Sequence, residues 1–211
     1  PRLVGETGGK DFIAAHPSAD PQALAVAMVR GAFEYQGQKC SAASRVYVPQ
    51  SLWNDVRDRA VAMMREIKMG DVRDFRNFMS AVIDRKSFDK IGGYLAHARQ
   101  HATILQGGVA KGDEGYYVEP TLIQTDDPGY RSLCEEIFGP VLTAYVYPDA
   151  KWAETLALVD RTSPYALTGS IFARDRAVIR AATATLRDAA GNFYINDKPT
   201  GAVVGQQPFG G

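Results

Sequence analysis

Cysteine and histidine are both scarce in this sequence. The only cysteines among its 211 residues are Cys40 and Cys134. Two cysteines make a poor disulfide framework at this length, and reduced thiols are typical of a reducing compartment. We therefore expect a localisation in the cytoplasm or the mitochondrial matrix. None of His16, His97 and His101 stands at metal-ligand spacing from a cysteine or a carboxylate, so we expect no metal site.

The sequence also lacks an excess of charge and a long apolar run. Its 24 Lys and Arg residues balance 24 Asp and Glu residues, so no basic face for nucleic acid or acidic membranes is imposed. No apolar run reaches the about 18 residues of a membrane-spanning helix, and the N-terminal stretch does not resemble a leader. We expect a soluble chain that acts on a small-molecule substrate, with no nucleic acid and no membrane as partner.

Helix-like and strand-like segments alternate along the chain. An Asp-Pro pair predicts the start of a helix over residues 20–36. Further helices are predicted over 51–70, where Gly70 would end the helix, and over about 84–101, 149–163 and 174–190. Strands are predicted over 2–5, 44–49, 102–108, 116–124, 141–148 and 192–196. This alternation predicts an α/β fold with a mostly parallel sheet flanked by helices.

The length suits one domain, and we interpret residues 1–211 as a single domain excised from a longer protein.

The segment "GAFEYQGQKCSAASRVYVPQ" places Cys40 between a polar run and a predicted strand. A nucleophilic cysteine must be accessible, must lose its proton, and needs a group that stabilises the oxyanion. Gly37 allows a turn before Cys40, but a lone cysteine before a strand more often has a packing role, so these residues alone favour packing.

Three other segments carry groups that such a site would use. "GETGGKDF" places Glu6 before a tight turn, either as a general base or as a plain turn acid. "CEEIFGPVL" holds two carboxylates and an aromatic residue before a turn, which fits a site or a solvated loop. The closing "YINDKPTGAVVGQQPFGG" supplies glycine N–H groups that can hold an anion. We interpret Lys39 and Lys198 as solvated or structural, and Cys134 as a packing residue.

In this order, the four segments resemble the catalytic half of the aldehyde dehydrogenase family. "ETGGK" resembles the general-base motif, "GQKC" the nucleophile motif, "EEIFGP" the nicotinamide-ribose motif and "PFGG" the segment that closes the substrate tunnel. The resemblance covers nearly the whole chain and implies the catalytic domain of that family without its Rossmann domain. "SAVIDRKSF" and "GYYVEPTL" are similar to the subfamily that oxidises L-glutamate γ-semialdehyde, in the form not fused to a proline dehydrogenase.

The resemblance implies a role for each matching residue. Cys40 would attack the aldehyde carbon, and Glu6 would activate the water that hydrolyses the resulting thioester. Glu136 and Phe138 would bind the ribose and the nicotinamide ring of NAD. The implied substrate contacts are with Ser41, Gly201, Ala202 and Phe209. Some members of the family have Ser at the position of Ala202, so here a backbone N–H contact remains while a hydroxyl contact is lost.

The resemblance also implies what lies outside this chain. The sequence has no complete Rossmann fingerprint, and the family's second oxyanion donor, an asparagine, belongs to the N-terminal half. We expect the chain by itself to bind NAD weakly or not at all and to lack dehydrogenase turnover, and the full-length protein to be a homo-oligomer. Two alternatives remain open, a cofactor-independent thiol esterase that uses Cys40 and Glu6, and a non-catalytic folding or assembly module.

Overall fold

The structure is a computed structural model that describes residues 5, 7–203 and 205–206. Two of the predicted site residues, Glu6 and Phe209, lie outside the described residues, as does most of the strand predicted over residues 2–5. The described residues form six α-helices: α1 (Pro21–Phe33), α2 (Gln50–Arg65), α3 (Arg85–His101), α4 (Arg131–Cys134), α5 (Trp152–Arg161) and α6 (Arg176–Thr185). Not one of these helices is long and apolar enough to cross a membrane.

The first helices begin where the sequence predicts but end earlier. Asp20 caps α1 by accepting a hydrogen bond of 2.9 Å from the backbone N–H of Ala23. The helix stops at Phe33 rather than continuing to residue 36, because the backbone then turns into the left-handed region. The predicted end of α2 at Gly70 is also wrong. The Gly70 N–H bonds the carbonyl of Met79 instead of a helical partner, since the chain has already turned back after Arg65.

The strands are β1 (Asp11–Ala15), β2 (Ala43–Pro49), β3 (Thr103–Gln106), β4 (Ala110–Lys111), β5 (Tyr117–Val118), β6 (Thr121–Thr125), β7 (Val141–Tyr147), β8 (Thr168–Phe172) and β9 (Asn192–Ile195). Seven of them form one sheet in the order β3-β6-β7-β2-β1-β8-β9, in which only the β3–β6 pair is antiparallel. The mostly parallel sheet is thus confirmed. Strands β4 and β5 form a separate antiparallel pair.

Strand β1 lies inside the sheet, between β2 and β8, yet the sequence analysis did not predict it. Its five residues are all buried, so the strand shows no polar and apolar alternation, and two of the five are alanines that favour strands weakly. The single strand predicted over 116–124 is instead two strands, because Glu119 and Pro120 interrupt it.

Neighbouring residues of β1 point to opposite faces of the sheet. Ile13 belongs to a buried cluster with Met28 of α1 and Trp53 of α2. Phe12 belongs to another cluster on the other face, together with Leu156 of α5. The sheet is therefore covered by helices on both faces, and each large apolar side chain buried there stabilises the fold by about 1.5–3 kcal/mol.

Candidate active site

Three loops that each precede a parallel strand meet at one edge of the sheet. Gly8 and Gly9 precede β1, Cys40 precedes β2 and Glu136 precedes β7, and these three strands are neighbours. Ligands of open α/β sheets usually bind beyond the carboxyl ends of the strands. Here the residues of these three loops lie at the amino ends of the strands. The general rule for parallel sheets would therefore have predicted a site at the opposite edge.

These loops enclose a cavity of ≈ 660 Å³ together with the segment that follows β9. Every predicted site residue in the described part of the chain lines it: Cys40, Ser41, Glu136, Phe138, Gly201 and Ala202. A larger cavity of ≈ 890 Å³ lies elsewhere, between residues 64–71 and the β4–β5 pair, and contains none of the predicted residues. The structure therefore brings together predicted residues that stand as much as 162 positions apart, from Cys40 to Ala202.

Cys40 lies half-buried in a turn that glycine makes possible. A Cβ atom on Gly9 would clash with the carbonyl oxygen of Cys40, so the two loops touch through their backbones. A Cβ atom on Gly37, which has φ +64°, would clash with the carbonyl oxygen of Gly139. These close approaches fix the loop that carries the thiol against the loops before β1 and β7. Cys40 forms no disulfide bond and faces the cavity.

Glu136 is held by the glycine turn before β1. Its Oε1 accepts a hydrogen bond of 2.8 Å from the backbone N–H of Gly9, while Lys90 Nζ donates to its backbone carbonyl at 2.8 Å. A Cβ atom on Gly8 would lie 2.8 Å from the same carboxylate oxygen. The carboxylate is thus fixed at the cavity and can accept hydrogen bonds from vicinal hydroxyl groups.

Phe138 exposes its ring at the cavity although its backbone is strained. The side chain is 41% exposed and φ is +60°, an uncommon conformation for a residue other than glycine. Such strain concentrates at functional sites. A fixed carboxylate beside an exposed aromatic ring has the chemistry needed to hold a ribose and a flat heteroaromatic ring, so these residues fit the nicotinamide end of NAD.

The segment after β9 closes the cavity beside Ser41. The hydroxyl oxygens of Ser41 and Thr200 form a hydrogen bond of 2.7 Å, and Thr200 is buried. Gly201 follows with φ +102°, a conformation that favours glycine. Thr200 was not among the predicted residues. Its position inside the closing segment, directly before Gly201, was the only available signal, since its partner stands far away in the sequence.

Charged side chains that the sequence analysis did not single out are buried at the start of β1. Arg45 Nε donates to the carbonyl of Lys10 at 2.8 Å, and Asp11 Oδ1 accepts from the backbone N–H of Thr168 at 2.7 Å. Lys10 Nζ is buried and has no hydrogen-bond partner among the described residues. Burial lowers the pKa of Lys10 to about 7 and raises the pKa of Asp11 to about 7. Sequence patterns give no signal for such burial.

Cys134 and the histidines do not line the cavity around Cys40. Cys134 is half-buried against an apolar cluster around α3, which confirms its interpretation as a packing residue, and burial raises the pKa of its thiol. His97 and His101 stack with ring centroids 4.4 Å apart, and His97 Nδ1 lies 3.0 Å from the hydroxyl of Tyr130. Within the described residues, no group of three or more His, Cys, Asp or Glu side chains could hold a metal ion.

The mostly parallel sheet and the cavity lined by Cys40 define an α/β domain with a half-buried thiol in its candidate active site. The chain belongs to the aldehyde dehydrogenase family, since the family model described as "Aldehyde dehydrogenase family" matches residues 1–211. The chain is 58% identical to a protein named "Delta-1-pyrroline-5-carboxylate dehydrogenase, mitochondrial" from Dictyostelium discoideum, and it covers 38% of that protein. The protein of the same name from Homo sapiens is 55% identical over the whole chain, which again spans 38% of it.

A solved structure gives the same result at the level of the fold. The delta-pyrroline-5-carboxylate dehydrogenase from Mycobacterium tuberculosis, determined with NAD and cobalamin, superposes with a TM-score of 0.94 at 50% identity. The superposition covers 100% of this chain and 39% of that one. The predicted fold class and family are therefore confirmed, and the chain spans about two fifths of the length of these relatives.

Proposed function

We propose that this chain is a single catalytic domain, residues 1–211, of a longer NAD-dependent dehydrogenase. This enzyme oxidises L-glutamate γ-semialdehyde, which forms from Δ1-pyrroline-5-carboxylate, to L-glutamate in proline catabolism, as a monofunctional protein. The observation that carries the proposal is the convergence of Cys40, Ser41, Glu136 and the segment after β9 on one cavity. The names of the relatives support the choice of substrate.

The reaction starts at Cys40. Its thiolate attacks the aldehyde carbon, and the thiohemiacetal oxyanion accepts a hydrogen bond from the backbone N–H of Cys40. NAD, held by Glu136 and Phe138, would supply the hydride acceptor that is needed to convert this thiohemiacetal into a thioester on Cys40. Glu6 then takes a proton from a water molecule whose oxygen attacks the thioester, and Cys40 leaves as a thiolate. Support for the role of Glu6 comes from the next residue, Thr7, which lines the cavity.

The substrate's α-carboxylate is bound by Ser41 and the segment after β9. In the Ser41–Thr200 pair one hydroxyl proton joins the two oxygens, so the other proton remains available for a carboxylate oxygen. The backbone N–H groups of Gly201 and Ala202 add two donors that need no side chain. Phe209 flanks the aliphatic part of the substrate. Ala202 contacts the α-carboxylate through its backbone N–H alone.

Cofactor binding divides between this chain and the rest of the protein. Glu136 holds the ribose hydroxyls and Phe138 lies against the nicotinamide ring, while the phosphates and the adenosine are bound outside these residues. The chain by itself therefore has no dehydrogenase turnover. We further propose that the full-length protein is a homo-oligomer in a reducing compartment, the cytoplasm or the mitochondrial matrix. The word "mitochondrial" in the names of the relatives from Dictyostelium discoideum and Homo sapiens supports the second compartment.

Substrate competition in the full-length protein tests this function. NADH formation is followed at 340 nm with L-glutamate γ-semialdehyde, propanal and succinate semialdehyde as substrates. We expect the highest kcat/KM for glutamate semialdehyde, because only this aldehyde carries an α-carboxylate at the distance that the anchor residues require. A higher kcat/KM for propanal or succinate semialdehyde would refute the proposed substrate, while activity with any of the three would still support aldehyde oxidation.

A further inference from the structure

The carboxylate of Glu34, near the candidate site, forms ion pairs with three cationic side chains. Lys39 Nζ lies 3.2 Å and Lys198 Nζ 3.0 Å from Glu34 Oε2, and Arg30 lies 2.6 Å from Glu34 Oε1. The Glu34 side chain is only 19% exposed. An ion pair on an open surface contributes little, but a shielded network of several charges is screened much less by water and salt.

The two lysines on Oε2 come from the two loops that the reaction must bring together. Lys39 directly precedes the nucleophile Cys40, and Lys198 stands two positions before Thr200, where the substrate-anchoring segment begins. The same oxygen atom therefore links segments more than 150 positions apart in the chain. Arg30, by contrast, lies one helical turn before Glu34 on α1 and reaches neither loop.

The backbone between Glu34 and Cys40 has an unfavourable conformation that side-chain contacts must stabilise. Tyr35, Gln36 and Gly37 follow one another in the left-handed region, with φ of +54°, +57° and +64°. Two consecutive residues with side chains adopt this conformation only when their surroundings hold them there. A hydrogen bond of 3.3 Å from Gln36 Nε2 to the carbonyl of Ala81 provides one support, and the ion pair between Glu34 and Lys39 provides another.

The charge on Glu34 is maintained at any pH at which the enzyme would work. Burial by itself raises the pKa of this carboxyl group, but hydrogen bonds from Lys198, Arg30 and Lys39 outweigh it and lower the pKa to about 2. The carboxylate therefore stays ionised and can hold both ammonium groups throughout the neutral range.

We propose that Glu34 is a positioning residue that sets the separation between the nucleophile loop and the substrate-anchoring segment by holding Lys39 and Lys198 on one carboxylate oxygen. It touches neither substrate nor cofactor and acts through Cys40 and Thr200. The proposal rests on the proposed function only in that these two loops act on one aldehyde.

The test compares three variants of the full-length enzyme: Glu34→Gln, Lys198→Met and the control Arg30→Met. Arg30→Met removes an ion pair to the same carboxylate without cutting the link between the loops. We expect kcat/KM to fall about tenfold or more in Glu34→Gln and Lys198→Met, and to stay within about twofold of wild type in Arg30→Met. The double variant of Glu34 and Lys198 should fall no further than either single variant, because both changes cut the same link.

A purely structural role gives a different pattern. Equal losses in Arg30→Met and Lys198→Met, independent effects in the double variant, or losses that simply follow the change in Tm would each overturn the proposal. Lys198→Met keeps the Glu34 carboxylate directly after α1, so it serves if Glu34→Gln fails to fold. The pattern is measured with whichever aldehyde the wild type oxidises fastest, so an unexpected substrate would refute the proposed function without deciding the role of Glu34.

Discussion

The hydroxyl oxygens of Ser41 and Thr200 lie 2.7 Å apart, although 159 positions separate them in the sequence. Ser41 follows the proposed nucleophile Cys40, and Thr200 begins the segment proposed to anchor the substrate. Their hydrogen bond joins the two halves of the proposed substrate site directly, in addition to the ionic link through Glu34. Loss of either hydroxyl should therefore weaken substrate binding more than it changes the chemistry at Cys40.

We expect Ser41→Ala and Thr200→Val in the full-length enzyme to raise KM for glutamate semialdehyde by about tenfold or more, the effect of losing one hydrogen bond to a charged group. The change in kcat should be smaller. Steady-state kinetics with glutamate semialdehyde and propanal measure both effects, since propanal has no carboxylate. Thr185→Ala removes a hydroxyl on α6 that bonds only a helix carbonyl, and serves as the control. A KM that rises equally for both aldehydes would contradict the assignment.

The half-buried Cys40 in a cavity predicts a second activity for the isolated chain, the slow hydrolysis of activated esters. We expect the release of p-nitrophenol from p-nitrophenyl acetate, at rates abolished by Cys40→Ala and kept within about twofold by Cys134→Ala, because the second thiol packs against an apolar cluster. No NADH should form from any aldehyde with the isolated chain. Ester cleavage that survives Cys40→Ala would assign it to another group.

Gly9→Ala should destabilise the protein strongly, because the added methyl group would overlap the carbonyl oxygen of Cys40. We expect a loss of about 3 kcal/mol or more in the free energy of unfolding, as for other severe overpacking of a buried site. Gly93→Ala is the matched control. No atom lies within 4 Å of a Cβ there, and in the middle of α3 it should stabilise by about 0.5–1 kcal/mol. Urea denaturation of both variants measures the difference, and equal stabilities would contradict the close approach of the two loops.

Stability should rise with pH above neutrality because of Lys10. Its pKa is about 7 in the folded protein and near 10.5 when unfolded, so between these values the unfolded chain binds more protons. The free energy of unfolding should therefore increase by at most about 1.4 kcal/mol per pH unit from this group. Lys10→Met should remove the increase, while Lys86→Met on the exposed start of α3 should keep it. Thermal unfolding between pH 7 and 10 tests this, and a slope retained in Lys10→Met would contradict it.

Local signals in the sequence predicted the parts of the fold that depend on neighbouring residues. The Asp20 cap and the alternation of helices and strands are of this kind, and they sufficed for a parallel α/β fold. Strand β1 was missed because complete burial removes the alternation that marks a strand. The early end of α2 was missed because Gly70, the residue predicted to end the helix, bonds the carbonyl of Met79 outside the helix.

The candidate site could be predicted where a residue belongs to a recognisable motif. Cys40 and Glu136 were proposed in this way, and the structure brings them to one cavity. Thr200, Glu34 and Lys10 were not found, because their importance comes from partners far along the chain or from burial. Neither a distant contact nor burial can be predicted from the residues next to it in the sequence.

The arrangement of β1, β2 and β7 separates two kinds of loop. Their amino ends carry the groups proposed to react, whereas the segments that leave their carboxyl ends, such as 16–20 and 148–151, lie at the opposite rim. Changes of length or composition on that rim would leave the chemistry undisturbed. The loops at the carboxyl ends of these strands can therefore vary in sequence and length during evolution, while the loops at the amino ends keep the proposed reacting groups in place.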